Sequence, residues 1–187
     1  ANYKPTGDFP MTQTQTGVWI TNPDAYRKKM EGLLGDRDPI AVMAQTPDVL
    51  AKIVQQHSAK TMRTRPFPGK WTPNEVIGHL TDSEWVYGYR VRLILCEDKP
   101  TILGMDQDLW VAGQHHNDRD PKELVEMFRA LRQCNLFLWR QMGSSELARV
   151  GQHNERGAES LGQMLRMEAG HDLSHIDQIN RYLDATM

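Results

Sequence analysis

The fold of this chain is decided by a stretch near its end, Gly170-His171-Asp172-Leu173-Ser174-His175-Ile176. The stretch lies in a predicted helix whose start is marked by a capping box, Ser160 with Gln163. Side chains four residues apart project from the same face of a helix, so His171 and His175 lie side by side on the apolar stripe. Two neutral imidazoles at this spacing provide half of a metal site.

A histidine pair at this spacing is not specific to metal sites. Paired histidines on an amphipathic helix can be surface residues, or core residues with ordinary hydrogen-bond partners. Read as a degenerate H-E-x-x-H zinc motif, the stretch places Asp172 where a glutamate base belongs, and aspartate is one methylene shorter. A metal site therefore requires a third ligand, which we expect upstream.

His79 is the candidate for this third ligand. Its helix begins at Thr72-Pro73-Asn74-Glu75, which combines an N-cap, a proline and a capping-box glutamate, and continues to about Cys96. His79 lies on the inner face of this helix with Val76 and Val86. Three histidine ligands leave coordination positions open, which is the catalytic pattern for zinc rather than the structural one. Imidazole also suits nickel, copper and ferrous iron.

Composition limits the classes of partner. The 187 residues are 39% hydrophobic and 25% charged with a net charge of −2, which suits one globular domain. No long Lys/Arg run is present, so we expect no nucleic acid and no membrane as partner, and no apolar run is long enough for a membrane span. We expect a small-molecule substrate instead. Cys96 and Cys134 lie in predicted helices and indicate reduced core thiols of a cytoplasmic protein.

Helix starts recur along the rest of the chain. A short helix opens at Asn22-Pro23 and runs through Leu34, where Gly35 follows. The first long helix begins at Thr46-Pro47. Asp120-Pro121 starts another long helix, which runs through about Met142.

These helices define the predicted architecture. With the helices of His79 and His171 there are four long helices, and no segment shows the period-2 pattern of a strand. Residues 97–119 form a long connection that can serve as a lid, and residues 151–157 form a polar loop. The sequence predicts an all-α four-helix bundle with an additional short N-terminal helix. The bundle forms a single domain over residues 22–187, preceded by a polar N-terminal arm over residues 1–21.

Two carboxylates are candidate catalytic residues. Asp82 lies one turn beyond His79, and Glu168 lies one turn before His171. From these positions they can orient the metal ligands or act as a general base. The alternative for each is a solvated or capping carboxylate.

Four other residues are candidates for substrate contact: Trp110 and Asp108 in the long connection, and Tyr87 and Arg90 beyond His79. Trp110 can equally plug the end of the bundle. A core tyrosine and a snorkelling arginine explain Tyr87 and Arg90 as well as an anionic substrate does. The remaining histidines are expected to be surface or hydrogen-bonded residues and not ligands: His57, His115, His116 and His153.

Three blocks of the sequence resemble the DinB/YfiT-like family of metal-binding four-helix bundles. The blocks are Trp71–Glu84, Gly104–Trp110 and Gly170–His175, and the likeness extends over roughly residues 38–186. In that family one histidine of the second helix and two of the fourth hold the metal, which corresponds to His79, His171 and His175. Many members have a further histidine where this chain has Ser174, a position that we do not expect to be a ligand.

The resemblance implies a divalent transition metal, zinc or nickel, with a bound water. Better-understood members transfer low-molecular-weight thiols such as bacillithiol, mycothiol or glutathione, or isomerise substrates with a thiol cofactor, while many others are known only as candidate hydrolases. Members often dimerise, so the resemblance also allows a homodimer. A thiol is therefore a second expected cofactor.

The expected function follows from an open tri-histidine site. A metal ion can make a nucleophile of water or of a thiol at neutral pH. We therefore expect a metal-dependent thiol S-transferase or hydrolase that acts on a small electrophilic substrate. One alternative is a non-catalytic metal-binding stress-response module. Another is a pH-sensitive cluster of core histidines without metal.

Overall fold

The computed structural model describes residues 22–186. In chain order the elements are helices α1 (Pro23–Leu34), α2 (Pro39–Gln56), α3 (Ala59–Met62) and α4 (Pro73–Cys96), strand β1 (Thr101–Ile102), helix α5 (Gln107–Gln114), a 3-10 turn (His116–Asp118), helices α6 (Pro121–Trp139) and α7 (Ser144–Leu147), strands β2 (Val150–His153) and β3 (Gly157–Ser160), and helix α8 (Leu161–Asp184). The predicted arm over residues 1–21, and residue 187, lie outside the described residues.

The predicted four-helix bundle is confirmed. Helix α4 packs against α6 and α8, and α2 packs against the same two helices from the other side. The additional short N-terminal helix, α1, packs along α8. At Gly170 the two backbones are so close that a Cβ atom would lie 2.2 Å from the Met30 carbonyl oxygen.

Within residues 22–186, the two larger apolar clusters lie inside the bundle. The first contains Leu80, Phe128 and Ile179, and the second contains Val91 and Trp139. Between the two clusters, each of the four long helices contributes at least one buried polar side chain. We call this group the polar layer. It consists of Thr46, Glu84, Arg132, Asn135 and Asp172. A buried polar group must be hydrogen-bonded to be tolerated, so this layer constrains how the four helices align.

The first long helix begins earlier than predicted. The Asp38 side chain accepts a hydrogen bond from the Ile40 N–H, so α2 starts at Pro39 and carries Pro47 in its interior. An interior proline lacks the N–H that would bind the carbonyl four residues before it. That carbonyl, of Met43, accepts a hydrogen bond from Arg132 Nη1 at 2.8 Å instead. A side chain from α6 thus compensates for the proline.

The prediction that the chain has no strands was wrong. Within the described residues, β2 and β3 form an antiparallel hairpin over the predicted polar loop, and β1 pairs with β2 in parallel. Strands of two to four residues are too short to show an alternating pattern. The long connection is also structured, because it contains β1, α5 and the 3-10 turn.

Two smaller expectations also need correction. Helix α6 ends at Trp139 and not near Met142. Cys96 and Cys134 are free but exposed, so they are not core thiols. Among residues 22–186, no helix combines the length and the apolar character needed to cross a membrane.

Candidate metal centre

Three imidazole rings meet where α4 faces α8. The Nε2 atom of His171 lies 3.1 Å from Nε2 of His79 and 3.0 Å from Nε2 of His175. One ligand atom from each ring falls within 4.8 Å of the other two. Ligands held 2.0–2.1 Å from one ion lie about 3 Å apart when the angle between them is near 90–110°. The cluster therefore has the dimensions of a metal centre.

A hydrogen bond at Nδ1, the ring nitrogen that does not face the other histidines, fixes the orientation of His175. Its Nδ1 atom lies 2.6 Å from the Gln178 side-chain oxygen, and the Gln178 amide donates to the Tyr182 hydroxyl at 2.9 Å. Because an amide oxygen can only accept, Nδ1 of His175 carries the proton and Nε2 presents its lone pair to the other rings. This is how a metal-ligating histidine is usually held.

Burial keeps the cluster neutral. All three rings are at most 6% exposed. Burial is the main reason why the pKa values of His79 and His171 lie well below the usual value, and mutual repulsion among the histidines adds to it. Burial likewise lowers the pKa of His175 to about 4. Three neutral imidazoles with converging nitrogens are suited to a cation, because lone pairs that face one another need a positive centre between them.

Trp71 packs on the opposite side of His79. The centroids of the two rings are 5.0 Å apart. Trp71 also hydrogen-bonds Asp108, a candidate substrate-binding residue. Burial and the neighbouring Asp106 raise the pKa of Asp108. The structure thus connects Asp108 to the histidines through Trp71 and not by direct contact.

The polar layer lies against α8 beside His171. Arg132 is 1% exposed and its guanidinium bridges Glu84, at 2.6 Å, and Asp172, at 2.5 Å. Burial alone would raise the pKa of Glu84, but the Arg132 charge together with hydrogen bonds to neighbouring side chains outweighs it, and the pKa is lowered. For Asp172 burial prevails and the pKa is raised. Asp172 follows His171 directly, so the layer fixes the helix that carries two of the three imidazoles.

Glu168 has a different setting from the one expected. Its carboxyl oxygens are buried beside Glu84, and the nearest guanidinium atom of Arg132 is 4.0 Å away. Burial and the adjacent Glu84 charge raise the pKa of Glu168 well above its usual value. Glu168 belongs with the polar layer and does not line the cleft described next.

A cleft opens over His79 and His171, and its space of about 440 Å³ includes open solvent at its mouth. We call it the inner cleft; its lining residues are Tyr26, His79, Ser83, Val86, Tyr87, Arg90, Met105, Gln107, Arg156 and His171. Tyr87 and Arg90 both line this cleft, and their contact with a substrate stays a prediction. Burial raises the pKa of Tyr87 to about 12 and also raises that of Tyr26, so both phenols keep their protons at neutral pH.

The two arginines of the inner cleft differ in their partners. Arg156 forms a two-pronged ion pair with Glu159, with contacts of 2.5 and 2.8 Å. Arg90 is 5% exposed and donates from Nε and Nη2 to the Leu103 carbonyl. Within residues 22–186, Arg90 forms no ion pair with a carboxylate. Burial lowers its pKa, yet an arginine side chain stays charged, so it brings a cation to the cleft.

Asp82 faces the connection between α5 and α6 instead of the inner cleft. Its carboxylate accepts from the Gln114 amide at 2.9 Å and contacts Nε2 of His116 at 2.9 Å. Asn74 also donates to the His116 carbonyl. Asp82 therefore holds Gln114 and His116 against α4. A role of Asp82 as a general base stays a prediction.

Trp110 lies outside the inner cleft. It is 41% exposed and lines a neighbouring surface cleft on α4, which we call the outer cleft. Of the other histidines, His115 is exposed and His57 contacts the Ile53 carbonyl, whereas His116 and His153 are buried.

Several residues of the site were not predicted from the sequence. Tyr26 and Arg156 come from α1 and the β2–β3 hairpin, and nothing in their local patterns connects them to His79. Gln178 was not predicted either, although it follows His175 by three residues on a helix already assigned. An i, i+3 polar neighbour on an apolar stripe is a readable signal for a supporting hydrogen bond.

The fold and the three converging histidines define a candidate metal centre in a four-helix bundle. The chain belongs to the DinB superfamily, whose family model matches residues 43–179. It is 28% identical to a candidate metal-dependent hydrolase of Oceanobacillus iheyensis over 71% of this chain and 77% of the relative. It is 23% identical to YfiT of Bacillus subtilis, another candidate metal-dependent hydrolase, over 89% of this chain and 97% of the relative.

Solved structures show the same fold. The structure of YfiT, described as an unusual four-helix bundle, matches with a TM-score of 0.68 at 22% identity, over 96% of this chain and 92% of that one. A mycothiol-dependent maleylpyruvate isomerase matches with a TM-score of 0.61 at 10% identity, over 75% of this chain and 59% of that one. At these identities the likeness extends to the fold alone.

Proposed function

We propose that this protein is a metal-dependent hydrolase of small electrophilic substrates, with His79, His171 and His175 as the ligands of a zinc- or nickel-type divalent ion. The observation that carries the proposal is the convergence of three neutral imidazole nitrogens beside the inner cleft, which His79 and His171 line. The description of the relatives as candidate metal-dependent hydrolases supports it. Three protein ligands are the number typical of catalytic zinc sites.

A divalent ion held in this way acts as a Lewis acid and lowers the pKa of a bound water or thiol. The chain supplies the rest of the site. The Tyr26 and Tyr87 phenols keep their protons, so they can donate hydrogen bonds to an oxygen that gains negative charge during the reaction. Gln178 holds the tautomer of His175, and Trp71 packs against His79.

The two predicted catalytic carboxylates have supporting roles in this proposal. Asp82 secures the connection that carries Gln114 and His116, and Glu168 is a buried carboxyl beside the polar layer whose pKa is raised. Neither lines the inner cleft. We therefore assign positioning roles to both and do not assign proton abstraction from the substrate to either.

A low-molecular-weight thiol in place of water is the second candidate. The support is the mycothiol dependence named for the isomerase of similar fold. The same three ligands would serve, because imidazole-bound zinc also accepts a thiolate. The inner cleft would then receive both the thiol and its electrophilic partner.

The test compares metal, water and thiol in one assay. Protein purified without a nickel column is stripped with chelator, reloaded with zinc or nickel, and assayed on a panel of small esters, amides and thioesters with and without glutathione. We expect turnover that depends on the metal and that falls at least about 100-fold in His79→Gln. Turnover only with glutathione would favour the thiol candidate. A metal-loaded protein without turnover in either arm would leave a metal-binding module and overturn the proposal.

A further inference from the structure

The outer cleft is a large apolar concavity on the surface beside the metal centre. Its space of about 660 Å³ includes open solvent, and its lining includes Trp85, Tyr89, Leu103 and Trp110. Three of these side chains are at least 60% exposed: Trp85, Tyr89 and Leu103. A cluster of exposed apolar side chains often marks a binding surface, whereas single exposed apolar side chains are common on any soluble protein.

The outer cleft adjoins the inner cleft. Val86, Arg90 and Met105 line both. Val86 and Arg90 are four residues apart on α4, so they form one continuous strip of that helix. The two clefts are therefore neighbours on α4, separated by no more than these shared side chains.

Arg90 lies at the junction and gives it a charge. Its two hydrogen bonds to the Leu103 carbonyl hold one edge of the guanidinium. A guanidinium has five N–H groups, and no carboxylate of residues 22–186 forms an ion pair with this one. A buried cation without an anionic partner is costly, and an anionic ligand group would offset that cost. Arg156 differs, because Glu159 already neutralises it.

The spacing along α4 separates Arg90 from the three histidines. His79 and Arg90 are eleven residues apart, which is three helical turns and about 16 Å of helix axis. The Arg90 side chain bends back toward the start of the helix, so the gap between the guanidinium and the imidazoles is shorter than this. Arg90 and His79 still lie at different levels of α4. The group bound at Arg90 and the group at the histidines therefore belong to different parts of one ligand.

We propose that the substrate is an amphipathic carboxylate: its reacting group lies at the three histidines, its carboxylate binds Arg90, and an aromatic or branched apolar group fills the outer cleft. The position of the reacting group rests on the proposed function. The carboxylate and apolar contacts rest on the clefts themselves and can be measured by binding alone.

The test uses three probes that differ by one feature each. They are 3-phenylpropionate, the neutral 3-phenylpropionamide, and propionate, which lacks the ring. Calorimetric titration of the zinc-loaded protein should show 3-phenylpropionate binding at least about tenfold more tightly than either analogue. Equal binding of the acid and the amide, or no binding of any probe, would overturn the proposal without the use of a variant.

Variants then assign the contacts. Arg90→Gln should remove the preference for acid over amide, and Trp110→Ala should reduce the preference for 3-phenylpropionate over propionate. Phe137→Ala removes an aromatic side chain that is 67% exposed on α6 and does not line either cleft, so both preferences should persist. Retention of both preferences in Arg90→Gln and Trp110→Ala would contradict the assignment.

Two further measurements separate this inference from its alternatives. If a second copy of the chain covers the outer cleft, sedimentation will show a dimer that Trp85→Ala dissociates and the probes will not bind, which would refute the inference. The titrations are also repeated on metal-free protein. If the protein prefers the acid over the amide but shows no turnover, only the proposed function is overturned. If it shows turnover but no preference for the acid over the amide, only this inference is overturned.

Discussion

The Nδ1 atom of His175 and the Oε1 atom of Gln178 are 2.6 Å apart, one turn along α8. This contact decides which nitrogen of His175 faces His79 and His171. Gln178→Leu keeps the approximate volume of the side chain but removes the acceptor, so the Nδ1-protonated tautomer is no longer favoured. We expect the zinc affinity to fall about 10- to 100-fold, measured by competition with a chromophoric chelator.

Asn180→Ala is the matched control for Gln178. Asn180 is an exposed amide residue on the same helix, so its loss should leave the zinc affinity unchanged. An unchanged affinity in Gln178→Leu would show that His175 is oriented by packing alone.

The buried Arg132 side chain should be among the most sensitive positions for stability. Arg132→Met leaves the carboxylates of Glu84 and Asp172 buried without their cation and leaves the Met43 carbonyl without its donor. We expect the free energy of unfolding to fall by about 3–5 kcal/mol, measured by urea denaturation.

Arg129→Met is the comparison for this prediction. Arg129 lies three residues earlier on α6 and pairs with Asp48, whose side chain is 78% exposed. A loss of about 0–1 kcal/mol is expected there. Similar losses in the two variants would mean that the polar layer contributes no more than a surface ion pair.

The contact between Gly78 and His116 should control how the connection sits on α4. A Cβ atom at position 78 would lie 2.2 Å from Cγ of the His116 ring, so Gly78→Ala must displace that ring and weaken its contact with Asp82. We expect a destabilisation of about 1–3 kcal/mol and faster amide exchange in residues 114–119.

Gly113→Ala provides the control within α5. A Cβ atom at that position would meet nothing within 4 Å, so the variant should be neutral or more stable by up to about 1 kcal/mol. Unchanged exchange in Gly78→Ala would show that the connection does not depend on the seating of His116.

His153 should make the stability depend on pH. Its Nδ1 atom accepts from the backbone N–H groups of Glu155 and Arg156, and burial, with the charge of Arg156, lowers its pKa to about 4. The unfolded chain, with a histidine pKa near 6.5, then binds more protons than the folded chain between about pH 4 and 6.5. Stability is therefore highest above this window and falls as the pH drops through it.

Replacing His153 isolates this contribution. His153→Gln keeps an acceptor for the two N–H groups but cannot titrate, so the pH slope of the unfolding free energy should decrease by up to about 1.4 kcal/mol per pH unit within the window. His115→Gln removes an exposed imidazole instead and should leave that slope as in the wild type. An identical slope in His153→Gln and wild type would exclude His153 as the source.

Local signals in the sequence were sufficient for the bundle and for the three converging histidines. The capping boxes at Thr72 and Ser160 are formed as predicted, and the helical spacing of His171 and His175 translates directly into proximity. These features depend on residues within a few positions of one another, which is the range over which sequence patterns are informative.

Long-range compensation could not be predicted in the same way. In the sequence, Pro47 indicates the start of a helix. In the structure it lies inside α2, because Arg132, 85 residues later, donates a hydrogen bond to the Met43 carbonyl that the proline cannot supply. Tyr26 reaches the inner cleft only because Gly170 lets α1 lie against α8. The strands were not predicted because they are only two to four residues long. Pairing with neighbouring strands stabilises them, and they are too short to show an alternation of apolar and polar residues.

The most direct test of the metal centre is the metal content of the protein itself. Wild type, His175→Ala and the control His115→Ala are purified without a nickel column, reconstituted with zinc or nickel, desalted and measured by mass spectrometry. We expect about one equivalent of metal in wild type and in His115→Ala, and a clear loss in His175→Ala. No bound metal in the wild type, or an undiminished equivalent in His175→Ala, would contradict a metal centre at the three histidines.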